Sequence, residues 1–339
     1  MSQVRVLVTG ASPDNDNRNT VLRNYVAEGF RQVVGDESVS HVPMEVALAA
    51  ARVHCPELIV CFGSCMPDDA DYLELRQYCD KSGAVLAFWL HDDPYELDFN
   101  YRIAGIADLV FSNDRWAAQH YNHPRAHHLP LAASREAHWR PINPAKDIGI
   151  FFCGVAFGNR IRLVKDLKQV LQKYDTRILG DEWPESELPF ARNRRLSNDE
   201  LSRNYARALI TLNMGRDFHY ANDRYKLDPS TPGPRTFEAA MAGTTQLYFV
   251  ESLEIEDYYV PDKEIVLYNS VAEFEEKVRS LLEGPADACL GIAAAAQQRT
   301  LADHTYRNRA IGILEAAAQV GIRYPAAQAG LMEAAIQVE

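Results

Sequence analysis

Pro229-Ser230-Thr231-Pro232-Gly233-Pro234-Arg235-Thr236-Phe237-Glu238-Ala239-Ala240-Met241-Ala242-Gly243 reads as a loop rich in proline and glycine that runs into a short helix. The helix is expected over Thr236–Ala242, with Gly243 at its C-terminal end, where a left-handed residue commonly stops a helix. The small side chains of Ala239, Ala240, Ala242 and Gly243 let it lie close against a sheet. A buried-strand run, Gln246–Val250, follows at once. Helix, glycine and apolar strand in that order form one repeat of an α/β fold.

The same repeat extends in both directions. Upstream, Ile148–Cys153 is an apolar run ending at Gly154, Ile161–Tyr174 has helical spacing, and Thr176–Leu179 is a strand ending at Gly180. Ser197 and Glu200 form the capping-box spacing at the start of a helix, and Leu209–Leu212 is the next strand. Downstream, helices are expected over Val271–Leu282 and Tyr306–Ala318. The N-terminal part carries strands at Val4–Thr9, Leu58–Phe62, Val85–Leu90, Leu109–Phe111 and His127–Leu131, with a helix at Asn19–Val34. Trp139-Arg140-Pro141-Ile142-Asn143-Pro144 reads as a linker between two series of strands. The expected architecture is α/β, with two Rossmann-like domains of mainly parallel sheets over 1–142 and 143–322, the last helix able to pack back on the first domain, and a tail over 323–339. In such sheets ligands sit beyond the C-terminal ends of the strands, and with two domains the cleft between them is the expected site.

Composition narrows the function. The chain has 339 residues, 47% hydrophobic and 24% charged, with a net charge of −12. That balance is globular, and its sign argues against nucleic acid as partner. No apolar run reaches the length of a membrane span. The N-terminus lacks the charged region and cleavage site of a secretory signal. The six cysteines, Cys55, Cys61, Cys65, Cys79, Cys153 and Cys289, show neither a zinc-binding nor a disulfide pattern. They read as reduced thiols, and the expected compartment is the cytoplasm.

Four segments carry the polar groups that chemistry needs. In the quoted stretch, Gly233 brings backbone amides close to a ligand, Arg235 can pair with phosphate oxygens, and Glu238 can accept two hydrogen bonds from a ribose diol. A carboxylate in a first helical turn is also favoured by the helix dipole alone. Gly154, in Phe152-Cys153-Gly154-Val155-Ala156-Phe157-Gly158-Asn159-Arg160, opens a strand-to-helix turn, where Arg160 adds a forked cation to free amides. Phe88-Trp89-Leu90-His91-Asp92-Asp93-Pro94 delivers a histidine and two carboxylates to a strand end. His91 can donate to a sugar hydroxyl or act as a base, and Asp92 can take a proton. Alternatively, Asp92 or Asp93 caps the following turn and His91 packs. The segment His304-Thr305-Tyr306-Arg307-Asn308-Arg309 is expected to brace the domains, or alternatively to close the site, and His120, His123, His127, His128 and His138 to be surface or packing residues. Val8-Thr9-Gly10 suggests a dinucleotide turn, but no second or third glycine follows, and Asp14 and Asp16 stand where phosphate would sit.

Taken together, Arg195-Leu196-Ser197-Asn198-Asp199-Glu200-Leu201, Leu212-Asn213 and the Arg235-Thr236-Phe237-Glu238 run follow the order found in the nucleotide-binding half of GT-B glycosyltransferases. Phe152-Cys153-Gly154…Arg160 and His304-Thr305-Tyr306…Arg309 bring the likeness to the CgeB-like branch. The resemblance covers roughly residues 148–315 and implies the GT-B architecture, with parallel sheets facing an interdomain cleft. It implies a UDP-, GDP- or dTDP-linked sugar as donor, no other cofactor, and no essential metal. By that resemblance Glu238 binds the ribose, Arg235 and Arg160 the diphosphate with Gly154, Gly233 and Thr236 beside them, and the backbone around Arg195 the base. His91 and Asp92 face the transferred sugar. Retaining members often carry a second glutamate eight residues before the ribose glutamate, and that position here is Ser230. The acceptor, a glycan, a protein or a small metabolite, is left open, as are the stereochemistry and the oligomeric state. A GT-B module that binds nucleotide without turnover and a nicotinamide-dependent oxidoreductase are the alternatives.

Overall fold

A computed structural model describes residues 4–14, 20–66 and 72–322, so the expected tail over 323–339 and Asp16 lie outside the described residues. The chain divides into two compact units. The first contains residues up to Leu131, with His219–Pro229 and the chain from Tyr306 onward. The second contains Ala132–Phe218 and Ser230–Thr305.

In the first unit the elements are β1 (Val6–Gly10), α1 (Thr20–Val34), β2 (Val39–His41), α2 (Ala47–His54), β3 (Leu58–Phe62), α3 (Tyr72–Ser82), β4 (Val85–Leu90), α4 (Leu97–Asn100), β5 (Leu109–Ser112), α5 (Arg115–His120) and β6 (Ala126–His128). All six strands run parallel in the order β2-β1-β3-β4-β5-β6. β1, β3 and β4 are buried along their whole length, as continuous apolar runs covered on both faces must be. The topological switch falls between β1 and β3, which places the loops after Gly10 and Gly63 at the ligand-binding position of this sheet type. Asp14 there is neutralised by the fork of buried Arg23, with contacts of 2.5 and 2.9 Å. That bond to Arg23 holds its pKa below the ordinary carboxylate value, against the effect of burial.

The second unit comprises α6 (Arg135–His138), β7 (Ile148–Cys153), α7 (Gly158–Asp166), α8 (Lys168–Leu171), β8 (Thr176–Gly180), β9 (Ala191–Asn193), α9 (Asn198–Arg207), β10 (Ala208–Asn213), α10 (Pro234–Met241), β11 (Thr245–Phe249), β12 (Val266–Tyr268), α11 (Val271–Glu283) and α12 (Ala286–Asp303). Its parallel sheet runs β12-β11-β10-β7-β8-β9, the order of a Rossmann fold, with the switch between β7 and β10. The capping box of α9 is present: Glu200 N–H donates to Ser197 Oγ at 3.2 Å and Ser197 N–H donates to Glu200 Oε2 at 3.0 Å.

The last described helix, α13 (Tyr306–Ala318), returns to the first unit. It packs on α1 so closely that a Cβ on Gly29 would lie 2.4 Å from the Tyr306 carbonyl oxygen. Arg309 also donates to Pro130 O and Leu131 O at 2.8 and 3.1 Å.

Three expectations change. The second unit begins at Ala132, not after Ile142, because Ala133 N–H donates to His304 O at 3.0 Å and Ser202 Oγ–H donates to Ala137 O at 3.0 Å. The helix expected over Ile161–Tyr174 is two, α7 and α8, which meet at Leu167. The strand expected over His127–Leu131 is shorter, Ala126–His128, with Arg309 taking the carbonyls that follow.

Candidate functional site

The C-terminal edge of the second sheet gathers most of the residues singled out in the sequence. At α10, Gly233 is the N-cap and Pro234 fills the first turn, where its missing N–H costs nothing. A Cβ added at Gly233 would meet nothing within 4 Å, so the approach to this helix end is open. Glu238 lies one turn in and is 2% exposed, and Arg235 pairs with its Oε2 while keeping its own side chain 48% exposed. Burial alone would raise the Glu238 pKa, but the Arg235 charge, with a smaller contribution from His138, holds it below the ordinary value. The Glu238 charge in turn raises the Arg235 pKa, against the effect of burial. The pair is thus an ionised carboxylate fixed in the protein and a cation reaching outward beside a helix N-terminus.

Thr236 is fully buried; its Oγ1 accepts from Asn213 Nδ2 at 2.7 Å, and its carbonyl accepts from Gln246 Nε2 at 2.9 Å. Its side chain ties α10 to β10 and its carbonyl ties it to β11. The loop ahead of α10 is held by Glu254, which accepts from Thr231 Oγ1 at 2.8 Å and from Tyr258 OH at 2.7 Å. Ser230 is itself buried.

Arg160 departs from expectation. Its guanidinium donates to three backbone carbonyls, Gly215 O at 2.8 Å, Met214 O at 3.0 Å and Val155 O at 3.0 Å. It lies over the rings of Phe157 and Phe152 at 5.0 and 5.5 Å. A fork with three of its five donors committed to main chain fixes the loops after β7 and β10 at the switch point. Gly154 donates its N–H to Leu179 O at 2.9 Å, and its carbonyl accepts from Trp183 Nε1 at 2.9 Å. Opposite it, Gly180 has φ +143°, and a Cβ there would come within 2.0 Å of Gly154 O. Arg195 stands on the loop between β9 and α9, 77% exposed and paired with Asp181.

His138 was read from sequence as a surface or packing residue. It is 2% exposed, and its Nε2 lies 3.8 Å from Glu238 Oε1. Its Nδ1 accepts from the Ser134 N–H at 3.0 Å. Burial, more than any neighbour, lowers its pKa below the ordinary histidine value, while the Glu238 charge opposes that shift. No local signal marks it: the helix that carries it has four residues, and Glu238 is a hundred residues away.

His304, by contrast, packs as expected against Phe237, Tyr258 and Tyr259, with ring centroids 5.1–5.6 Å apart.

In the first unit, β4 places His91 and Asp92 at its C-terminal end. His91 is buried, with Nδ1 3.3 Å from Ser64 Oγ and Nε2 3.4 Å from Asp92 Oδ2. Asp92 keeps its side chain 23% exposed. Asp93, of the two carboxylates the structural one, accepts from Asn100 Nδ2 at 2.8 Å, Ser112 Oγ at 2.7 Å and Tyr121 OH at 2.8 Å. Asn100 Oδ1 accepts in turn from Cys65 N–H at 2.7 Å, so Asp93 links the loops after β3, β4 and β5. Burial pushes its pKa up to about 6, although all three donors hold it down. His91 and Asp92 thus stand side by side at the end of β4, next to the loops that Asp93 links.

Comparison with known proteins bears on the fold and on the domain match. Residues 160–315 match the family model described as glycosyl transferase-like. The spore protein CgeB of Bacillus subtilis (strain 168) is 21% identical over 220 residues, 61% of this chain and 67% of that protein. Among solved structures, a sucrose-phosphate synthase (tll1590) from Thermosynechococcus elongatus superposes with a TM-score of 0.62 at 10% identity, covering 94% of this chain and 99% of that one. AviGT4, a glycosyltransferase of avilamycin A biosynthesis, gives 0.61 at 13% identity, covering 94% and 98%. Anabaena Alr3699/HepE in complex with UDP gives 0.60 at 10% identity, covering 93% and 100%. No helix among the described residues is long and apolar enough to cross a membrane. Residues 160–315 thus carry a glycosyl transferase-like match, and the two parallel six-stranded sheets have the GT-B fold.

Proposed function

We propose that the chain transfers a sugar from a nucleoside-diphosphate sugar to a hydroxyl acceptor, with the nucleotide held by the second unit. The observation that carries this reading is the buried, ionised Glu238 paired with half-exposed Arg235 at the open N-terminus of α10. A fixed carboxylate suits a vicinal diol, which can give it two hydrogen bonds. An outward cation at a helix N-terminus suits the diphosphate. That HepE, a structural neighbour, was solved with UDP and with UDP-glucose supports a uridine donor. A diol contact through Glu238 also favours ribonucleotides such as UDP or GDP over dTDP, whose sugar lacks the 2′-hydroxyl.

As the glycosidic bond to phosphate breaks, negative charge grows on the leaving diphosphate. Arg235 and the first amides of α10 stabilise it without requiring a metal. His91 and Asp92 serve the sugar and the acceptor: Asp92, the more exposed, takes the hydroxyl proton, and His91 orients it and donates to a sugar hydroxyl. Buried Ser230 puts no carboxylate at the position where retaining members carry one, which favours, as a second reading, a module that binds nucleotide without turnover.

Isothermal titration separates these steps. UDP is expected to bind more tightly than 2′-deoxy-UDP, and Glu238→Gln to weaken UDP by about 1–3 kcal/mol, the loss of hydrogen bonds to a charged group. Unchanged UDP affinity in a folded Glu238→Gln protein would remove Glu238 from the site. Release of UDP from UDP-sugar in the presence of EDTA tests turnover and metal independence together, and binding without release selects the second reading.

A further inference from the structure

We infer that His138 is the positioning residue of Glu238, holding its carboxylate toward the nucleotide through a neutral Nε2–H once Arg235 has turned to the diphosphate. This rests on the assignment of Glu238 to the ribose diol. In the structure Arg235 occupies Glu238 Oε2. A ligand that draws the guanidinium away leaves a carboxylate that is 2% exposed without its strongest compensating charge. Such a group takes up a proton or moves unless another donor holds it. His138 is the residue so placed. Its Nε2 is 3.8 Å from Oε1, the oxygen that does not carry Arg235, and its own side chain is 2% exposed.

The tautomer follows from the backbone. Ser134 N–H donates to His138 Nδ1 at 3.0 Å, so Nδ1 must present its lone pair and the ring proton must sit on Nε2, toward Glu238. A second proton on the ring would set N–H against N–H at Ser134. Ser134 also caps α6, its Oγ accepting from Ala137 N–H at 3.2 Å, so the turn that carries the ring is itself fixed. The arrangement is a neutral donor of fixed orientation behind a ligand-binding carboxylate, the relation by which outer residues commonly tune the groups that touch a ligand.

Two substitutions divide the ring's functions. In His138→Asn the side-chain oxygen takes the place of Nδ1 and keeps the Ser134 bond, while the donor toward Glu238 is lost. In His138→Gln the amide N–H takes the place of Nε2, while the Ser134 bond is lost. Positioning predicts that His138→Asn lowers UDP affinity by roughly 3- to 30-fold. Under the same reading, affinity for 2′-deoxy-UDP changes less and His138→Gln recovers most of the loss. A purely structural role predicts the reverse order, with Asn neutral and Gln damaging. Equal loss for UDP and 2′-deoxy-UDP in both variants also overturns the inference. Glu238→Gln measured alongside separates the levels: if it leaves the preference for UDP over 2′-deoxy-UDP intact, the diol assignment itself fails. If it abolishes the preference while His138→Asn preserves it, only the role of His138 fails.

Discussion

Replacing Asp93 by asparagine removes one buried charge and leaves the side-chain volume almost unchanged. Asp93 is 1% exposed, and burial lifts its carboxyl from 3.8 to about 6 in the folded chain. That rise corresponds to about 3 kcal/mol between the two protonation states. The sign follows from proton counting. The folded state holds this proton more tightly than the unfolded one, so the contribution is fully present below the unfolded pKa and is lost as pH rises through about 6. Integrated between pH 4.5 and 7.5, the stability of the natural chain relative to Asp93→Asn is expected to fall by about 2 kcal/mol. Taking the difference between the two proteins cancels the other carboxylates. Asp14, whose pKa is lowered by its bond to Arg23, acts in the opposite sense, its stabilisation being lost as pH falls. Urea unfolding of both full-length proteins at the two pH values, at low concentration because the pI is about 5.3, reads the quantity directly. A relative stability that stays constant within about 0.5 kcal/mol across that range would mean that Asp93 titrates alike in both states. The cost of burying its charge among the loops after β3, β4 and β5 would then be fully offset by its three hydrogen-bond donors.

His91→Ala and Asp92→Asn are each expected to cut the rate of sugar transfer by about 100-fold or more, the usual contribution of acid–base groups. UDP affinity by calorimetry should change little, because both residues lie in the first unit; full transfer activity in both variants would refute their assignment. Gly180→Ala is expected to destabilise the chain by roughly 2–4 kcal/mol, since φ +143° is strained for alanine and its Cβ would press on Gly154 O at 2.0 Å. A melting temperature equal to that of the natural chain would show that the turn can open at little cost.

The elements legible in the sequence were those whose physics is local. β3, β4 and β7 stand at the residues where apolar runs end against glycine or a polar cluster, because a strand buried on both faces has to be continuously apolar. The capping box of α9 and the glycine after α10 were readable for the same reason, each within a single turn. β2, β9 and β12 were not, since a three-residue edge strand has too few side chains to show a period. α12, although it has 18 residues, shows no helical period in the sequence, because its alanine-rich run carries no apolar stripe to contrast with a polar one.

The site divides along the same line. Arg235 and Glu238 are one helical turn apart, and sequence spacing alone puts them side by side. What spacing could not show is which oxygen of Glu238 each neighbour takes, or that a third residue stands behind it. Arg160 makes the converse point. A forked cation next to a strand-to-helix turn has the composition of a phosphate ligand, yet its geometry satisfies three carbonyls of its own fold. Charge and position near a helix start are thus shared by residues that bind and residues that brace. The distinction lies in whether the donors are already committed to main chain. By that criterion the proposed diphosphate contact falls to Arg235, held by a single carboxylate and half exposed, while Arg160 holds the loops after β7 and β10.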